Sequence, residues 1–335
     1  MVRRRAVLLG LSGAALAGAA ALGGLASCSE RSRTSAGDGR RTVRVGMLRI
    51  SPHLMAPRFY SRFLPPGLAV ETLAFNNSTE IKTAVVTGSV DFAVTGVTAA
   101  LQGAARGEPF VVLAAAADGA SAIVALEERG GARIERVEQL AGKRVGYVPG
   151  SAQDVLLRLS LRARGLDPDK DVRLVKVGFG DMPNALERGD IDAFSGAETG
   201  PSVSLLRGRS HVVLHPYDTP MGKINIVFGT SQALLEREPD LCRALVETHA
   251  RATEFLIHNP EEWARATTKA WGAKLDAVEL AIGNIALRWK LGGAYVAQAR
   301  VLGEQLELLR QIKRQPEYST FIAERFALEL QERTG

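Results

Sequence analysis

Polar side chains are concentrated in short loops that follow apolar, β-rich runs of the sequence. Ser, Thr, Asn, Gln and His recur there beside glycines. Hydroxyl and amide groups donate hydrogen bonds to oxyanions and other strongly polar groups. Six loops have this composition, at residues 49–53, 76–79, 96–98, 149–153, 178–182 and 195–199.

These loops supply the candidate contacts to a small ligand. Ser151 and Gln153 can donate to it, or can simply cap the helix that follows. His53 can donate to an anionic oxygen or cap a helix, and Glu198 can meet a ligand amine or serve as an acid at a helix start. The predicted ligand-binding residues are Ser51, His53, Asn77, Ser78, Thr79, Gly96, Thr98, Ser151, Gln153, Phe179 and Glu198.

Catalytic and metal chemistry find no support in the residue types. Beyond residue 28 there is no Gly-x-Ser-x-Gly motif, and the five histidines are dispersed without metal-ligand spacing. Of the two cysteines, Cys242 lies in a helical apolar pattern, which indicates a buried side chain. We therefore predict no catalytic residue, no metal and no cofactor, and a binding protein rather than an enzyme.

The elements that must position these loops alternate between strand and helix. In parallel α/β sheets, ligands bind beyond the carboxyl ends of the strands, which is where the polar loops fall. The alternation implies parallel-rich sheets covered by helices. The predicted strands are 43–47, 68–75, 90–95, 144–148, 172–177 and 191–194, and the predicted helices are 54–63, 80–87, 154–164 and 183–188.

The chain also repeats itself at an offset of about 100 residues. Arg44-Val45-Gly46 matches Arg144-Val145-Gly146, and further along Gly88 and Asp91 match Gly189 and Asp192 with the offset changed by one. Asn77, with Glu80 three positions later, predicts a capping box, and the two glycines predict helix ends. Two similar units in tandem predict two lobes.

The C-terminal part predicts a return to the first lobe. A strand-like stretch at 224–228 precedes amphipathic patterns at 241–257, 261–270, 275–289 and 295–314. The chain therefore crosses between lobes near 119–126 and again near 217–229, and two crossings make a hinge. We predict an α/β fold with one lobe at 42–120 and 225–335 and the other at 121–224.

The N-terminus reads as an export signal. Arg3, Arg4 and Arg5 precede an apolar run from 6 to 26, which suits either the twin-arginine or the general secretory route. The run ends at Cys28, in a context that resembles the lipobox of bacterial lipoproteins, so we predict a signal peptide at 1–27, a lipid anchor on Cys28 and a polar tether at 28–41. Its removal lowers the formal net charge from +6 to +3, because three arginines are lost. This weak charge and the few aromatics argue against nucleic-acid binding.

Several phrases resemble the nitrate/sulfonate/taurine-type solute-binding proteins of ABC importers, which share a fold with thiamine-pyrimidine binding proteins. The phrases are VRVG at 43–46, AVVTGSVDFAVTG at 84–96, LAGKRV at 140–145, GLDP at 165–168, ALERGDIDA at 185–193 and NPEE at 259–262, and they occur in this order over nearly all of the exported chain. Two loops depart from the usual pattern. One is at Pro52-His53, and the other is at 195–201, where many relatives have a Trp before the Glu.

The resemblance implies a two-lobed periplasmic-binding-protein fold and a monomer that meets the permease subunits of an importer outside the cytoplasmic membrane. The expected ligand is a small polar solute such as a sulfonate, taurine, nitrate or a similar anion. Two alternatives remain open, namely a receptor for a pyrimidine or other heterocyclic vitamin precursor, and a sensory ligand-binding module.

Overall fold

A computed structural model describes residues 39–48, 52–127 and 133–334, and the strands in these ranges form a six-stranded and a five-stranded sheet. The predicted signal peptide, Cys28 and Ser51 lie outside the described residues. The strands are β1 Arg41–Leu48, β2 Leu68–Phe75, β3 Phe92–Gly96, β4 Phe110–Gly119, β5 Ser121–Leu126, β6 Arg144–Tyr147, β7 Arg173–Lys176, β8 Ala193–Ala197, β9 Ser210–Leu214, β10 Ile224–Ser231 and β11 Ile285–Leu287.

The two sheets have related strand orders, β11-β4-β10-β3-β1-β2 and β7-β6-β8-β5-β9. In each sheet the strands from one repeat unit are parallel, with β1 between β2 and β3, and β6 between β7 and β8. The remaining strands, β4, β5, β9, β10 and β11, pair antiparallel. The prediction of an α/β fold with two parallel-rich sheets is confirmed, with antiparallel strands added to both.

The sequence repeat corresponds to a repeated set of contacts. The Arg44 backbone N–H donates to Asp91 Oδ2 at 2.8 Å, and the Arg144 N–H donates to Asp192 Oδ2 at 2.8 Å. Both guanidinium groups also contact the same carboxylate, at 3.3 Å and 2.7 Å. Each carboxylate thus ties the first strand of its unit to the entrance of the third, which explains why the Arg and the Asp recur together.

Helices connect and cover the strands, and their ends follow the sequence signals. The Glu80 N–H donates to Asn77 Oδ1 at 2.9 Å, and Gly88 and Gly189 adopt φ values of 72° and 75° at helix ends, as predicted. The helices are α1 Ser78–Val86, α2 Val97–Ala105, α3 Ala152–Arg162, α4 Met182–Arg188, α5 Gly200–Leu206, α6 Gln232–Arg237, α7 Pro239–His258, α8 Pro260–Trp271, α9 Leu275–Gly283, α10 Gly293–Leu308, α11 Tyr318–Phe321 and α12 Arg325–Thr334.

Four sequence predictions of secondary structure and boundaries need correction. The segment predicted as a helix at 54–63 forms two 3-10 helices, Pro52–Leu54 and Ala56–Arg62, with prolines at their starts. The helix predicted at 275–289 ends at Gly283, because the next residues form β11 on the edge of β4. The helix predicted at 295–314 ends at Leu308. The first strand begins at Arg41, so this residue does not belong to the tether.

The chain passes between the sheets twice. The first passage is at Ala120, between β4 of the six-stranded sheet and β5 of the five-stranded sheet, and the second lies between β9 and β10. We call the six-stranded sheet with α1, α2 and α6 to α12 the first lobe. The second lobe is the five-stranded sheet with α3 to α5. Among the described residues, no helix is long and apolar enough to span a bilayer.

The helix α3 belongs to two apolar clusters at once. Leu157 and Leu161 pack in the core of the second lobe with Ile123 and Val145. Ala152, Val155 and Leu156, by contrast, are buried in a cluster of the first lobe, with Leu302 and Leu306 of α10. The two lobes therefore meet through an apolar contact between α3 and α10.

Candidate functional site

The loops at the carboxyl ends of the parallel strands bring the two lobes together. From the first lobe, Gln102 Nε2 of α2 donates to the Gly150 carbonyl at the entrance of α3, at 3.5 Å. Within the second lobe, Gln153 Nε2 donates to Ser121 Oγ at 3.0 Å, next to the first passage of the chain. Gln102, more than one turn inside α2, thus contacts the loop that enters α3 across the boundary between the lobes.

His53 lies in the first 3-10 helix and is 5% exposed. The carbonyl of the preceding Pro52 accepts a hydrogen bond from Trp263 Nε1 at 2.8 Å, which fixes this turn against α8. Burial lowers the pKa of His53 to about 3, because charging the imidazole away from water is unfavourable. At neutral pH His53 is a neutral side chain, so it offers hydrogen bonding rather than a positive charge.

Asn77 and Ser78 contribute to local structure at the start of α1. Ser78 Oγ accepts a hydrogen bond from the Gly96 N–H at 3.1 Å, and its carbonyl accepts one from Thr95 Oγ1 at 3.2 Å. A Cβ on Gly96 would lie 3.0 Å from Ser78 Oγ, so a larger residue at this position would have to displace the Ser78 side chain. The structure brings Asn77, Ser78 and Gly96 together at one edge of the first sheet.

Thr98 lies one position inside α2 and is 5% exposed. Its Oγ1 atom is buried and has no hydrogen-bond partner among the described residues. A buried hydroxyl without a partner costs free energy unless something else satisfies it. Thr98 is therefore the predicted site residue with unused hydrogen-bonding capacity.

At the start of α3, both predicted donors have partners within the chain. Ser151 Oγ accepts from the Asp154 N–H at 3.1 Å and donates to the Val148 carbonyl at 2.8 Å. Besides its bond to Ser121, Gln153 accepts a hydrogen bond from Ser195 Oγ on its carbonyl, at 2.9 Å. Ser151 is a helix cap, and Gln153 links α3 to the first passage between the lobes.

Glu198 follows β8 and connects the lobes. Its carboxylate accepts from Ser202 N–H at 3.3 Å, from Ser202 Oγ at 2.7 Å and from Asn284 Nδ2 at 3.0 Å. Burial raises the pKa of Glu198, while the hydrogen bonds from Asn284 and Ser202 oppose that rise. Asn284 follows α9 of the first lobe, so this carboxylate joins the two lobes directly.

A polar cluster beside Glu198 was missed by the sequence analysis. Tyr217 Oη lies 2.7 Å from Asn284 Oδ1 and 2.9 Å from both the N–H and the carbonyl O of Ser121. Burial raises the pKa of Tyr217 to about 12, so the phenol stays protonated. The asparagine that ends α9 was hidden by the prediction of a continuous helix there, and nothing local marks Tyr217 as its partner.

The other predicted residues lie apart from these contacts. Thr79 is exposed on the first turn of α1, and Phe179 packs partly buried against the core of the second lobe.

Asp118, at the end of β4, binds Arg288 Nη1 at 2.7 Å, and burial raises the pKa of Asp118. In the described ranges, no group of His, Cys, Asp and Glu could hold a metal ion. Cys242 is fully buried in the first lobe, as predicted.

Solved structures share this architecture. The periplasmic aliphatic sulphonate binding protein SsuA from Escherichia coli superposes with a TM-score of 0.72 at 17% identity, over 84% of this chain and 91% of that one. The alkanesulfonate-binding protein SsuA from Xanthomonas axonopodis pv. citri, bound to MOPS, gives 0.70 at 17% identity, over 84% and 97%. A ligand binding component of an ABC-type import system from Staphylococcus aureus gives 0.73 at 16% identity, over 86% and 98%. At these identities the likeness establishes the fold.

A curated relative matches a shorter part of the sequence. The nitrate import ATP-binding protein NrtC of Synechococcus elongatus is 33% identical over 101 residues, which is 30% of this chain and 15% of that protein. The chain thus spans a small part of this relative's length. These relatives are named as binding or import proteins, which agrees with the prediction of a binding protein rather than an enzyme.

The two sheets and the double chain crossing define a protein of the periplasmic-binding-protein fold. Within that class, the sequence profile of the NMT1/THI5-like family matches residues 63–263, which is more than half of the chain. The chain belongs to the NMT1/THI5-like family, and the resemblance drawn from the sequence is confirmed at this level.

Proposed function

We propose that this chain is an extracytoplasmic solute-binding lipoprotein that delivers a small polar solute to the membrane subunits of an ABC importer. The observation that carries the proposal is the contact of α2 in one lobe with the polar loop that enters α3 in the other, between lobes that are joined by two chain crossings. The family, and the likeness to sulfonate-binding and nitrate-import proteins, support it. We favour a sulfonate, taurine, nitrate or a similar anion as the solute.

The geometry suits binding by closure of the lobes. A solute between them meets hydroxyl, amide and backbone N–H donors from both sides. Each buried donor left without a partner costs about 1–3 kcal/mol, so a closed cleft around the correct solute is favoured over one around a poorly matched solute. The closed form is the one that we expect the importer to recognise.

A zwitterion such as taurine can use Glu198 as well. An ionised carboxylate offers about four acceptor positions, and the Glu198 contacts to Ser202 and Asn284 occupy three of them. A ligand ammonium can take the remaining position without breaking the link between the lobes. Phe179 packs on the core of the second lobe, so a flat heterocycle has no stacking platform from this side chain.

The solute class is tested by calorimetry on the purified exported chain with nitrate, bicarbonate, methanesulfonate, taurine and an aminopyrimidine. We expect binding of at least one anion, and a solute at 100 times its Kd should stabilise the fold by about 2.7 kcal/mol. Small-angle scattering should show a smaller radius of gyration with that solute. Tight binding of the aminopyrimidine with no response to any anion would contradict the proposed class.

Lipid anchoring is tested at Cys28. Since the thiol of this residue is the proposed attachment point, Cys28→Ala should move the protein from the membrane fraction to the soluble extracytoplasmic fraction. Cys242→Ala is the matched control and should leave the protein in the membrane fraction. A mature membrane-bound form whose residue 28 carries no lipid by mass spectrometry would refute the anchor.

A further inference from the structure

The helices that follow the parallel strands differ in how their N-termini are occupied. An acidic side chain from the chain itself lies in or just before the first turn of α1, α3, α4 and α5. Glu80 accepts from the Asn76 N–H at 3.2 Å, Asp154 from the Gly150 N–H at 2.8 Å and Glu198 from the Ser202 N–H at 3.3 Å. Asp181 is the residue before α4. These helix starts already hold a carboxylate where an anion would bind.

Among the described α-helices that follow parallel strands, α2 is the exception. Its N-cap is Gly96, which has no side chain to cap it, and its first turn contains no acid. The first N–H groups of a helix have no acceptor within the helix, and the dipole gives this end a partial positive charge. The nine-residue helix α2 thus has no acidic side chain in its first turn to accept hydrogen bonds from these N–H groups.

The unpaired hydroxyl of Thr98 lies at this same helix start. The Cα–Cβ bonds of a helix tilt towards its N-terminus, so the side chain of Thr98, in the first turn, leans towards the end of α2 that carries the free N–H groups. The hydroxyl is buried and has no partner in the described part of the chain. The Thr98 hydroxyl and the first N–H groups of α2 lie together here, and the described part of the chain supplies no acceptor for the hydroxyl.

The face of α2 that carries Thr98 is turned towards the second lobe. Thr98 and Gln102 are four residues apart and therefore share a face of the helix. Gln102 on that face contacts the Gly150 carbonyl of the second lobe. A group bound beside Thr98 would consequently lie between α2 and the loop that enters α3, where closure of the lobes covers it.

We propose that the start of α2 is the anion subsite of the cleft, in which Thr98 Oγ1 and the first N–H groups of α2 hold the oxyanion head of the solute. This inference rests on the proposed function and deepens it, because it assigns the charged group of the ligand to one helix. A sulfonate, nitrate or carboxylate head has the oxygen acceptors that this cluster of donors needs. Glu198 remains available for an amino group at the other end of the solute.

The experiment compares three threonine variants in calorimetric titrations with methanesulfonate, nitrate and taurine. Thr98→Val keeps the shape and removes the hydroxyl, and we expect it to weaken binding of the anion that wild type binds by about tenfold or more. Thr98→Ser keeps the hydroxyl and should stay within about threefold of wild type. Thr253→Val removes another buried, unpaired hydroxyl, in α7, and should leave the affinity unchanged.

Dimethyl sulfone is the neutral probe matched in shape to methanesulfonate, and we expect it not to bind to wild type. Anion affinity of Thr98→Val within threefold of wild type would overturn the subsite while leaving the solute-binding function intact. Binding of neutral or aromatic solutes without any anion would overturn both the subsite and the proposed solute class. Circular dichroism of each variant shows whether a loss of affinity comes from unfolding, and a folded Thr98→Val with lost affinity supports the subsite.

Discussion

Replacing Gly119 by alanine is expected to lower the free energy of unfolding by about 2–5 kcal/mol. Gly119 has a φ of 79° at the first passage between the lobes, and a Cβ there would lie 2.8 Å from the Asn284 carbonyl oxygen. A left-handed backbone costs a residue with a Cβ about 1–2 kcal/mol, and overpacking against backbone adds about 1–3 kcal/mol. Urea denaturation followed by circular dichroism measures the loss.

The surroundings of Gly119 leave little room for adjustment. Its N–H donates to the Lys223 carbonyl at 2.7 Å, and the next N–H, of Ala120, donates to the Asn284 carbonyl at 2.8 Å. A shift that relieves the overlap therefore strains both bonds. Ala120→Gly is the matched control, because Ala120 also has a positive φ, of 59°, and should change stability by no more than about 1 kcal/mol. Equal losses in the two variants would contradict this explanation.

Acid should destabilise the protein well above the range in which carboxylates titrate. Burial lowers the pKa of His53 to about 3 and that of His249 to about 4, from 6.5 when unfolded. Above pH 6.5 neither state binds these protons, whereas below it the unfolded chain binds them and the folded chain does not. Stability is therefore lost as the pH falls from 6.5 towards 4. For each histidine the slope rises from about half of 1.4 kcal/mol per pH unit at pH 6.5 to nearly the full value at pH 5, so about 3 kcal/mol is lost between these two pH values.

The contacts of His249 explain why it stays neutral and provide the test. Its Nε2 donates to the Ala115 carbonyl at 2.8 Å, so its Nδ1 accepts the hydrogen bond from Tyr60 Oη at 2.8 Å. His249→Gln should remove about half of the pH dependence in urea titrations at pH 7, 6 and 5. His258→Gln, at an exposed histidine, should leave it unchanged. A flat stability profile between pH 7 and 5 in wild type would disprove the role of both buried histidines.

Two opposing groups limit the size of this effect. Burial raises the pKa of Glu198 and of Asp118, so the folded state binds protons at these carboxylates at a higher pH than the unfolded chain does. The penalty for keeping these charges is present at neutral pH and is relieved as the pH falls through their raised pKa values. The histidines govern the upper part of the acid range, and these carboxylates offset part of the loss in the lower part.

The parts of the fold that the sequence predicted are those with local signals. Strand and helix periods located the three parallel strands of each sheet, and the repeated Arg and Asp marked the same contact twice, at Arg44–Asp91 and Arg144–Asp192. The helix cap at Asn77 and the glycines that end α1 and α4 could also be predicted, because each depends on hydrogen bonds between residues within one turn.

The rest depends on partners that are distant along the chain. β4 and β5 were not among the predicted strands. The chain crossing predicted near 119–126 came from the order of the repeat units, because no residue type marks Ala120 itself as the point where the chain changes sheets. β11 has only three residues, and it forms a strand because it pairs with the edge of β4. The site shows the same limitation, since Glu198 meets Asn284 and Gln153 meets Ser121 through the tertiary fold alone.

Because α3 packs in the apolar clusters of both lobes, it limits the ways in which the lobes can separate to admit the proposed solute. Val155 and Leu156 are buried against α10, and fully exposing such a side chain costs about 1.5–3 kcal/mol. A separation of the lobes that pulls α3 away from α10 exposes both, whereas a rotation about the line where the two helices touch leaves them covered. The lower-energy motion thus keeps one flank of the cleft shut and widens the opposite flank. For the proposed solute-binding function, we therefore expect the solute to enter on the side remote from α10.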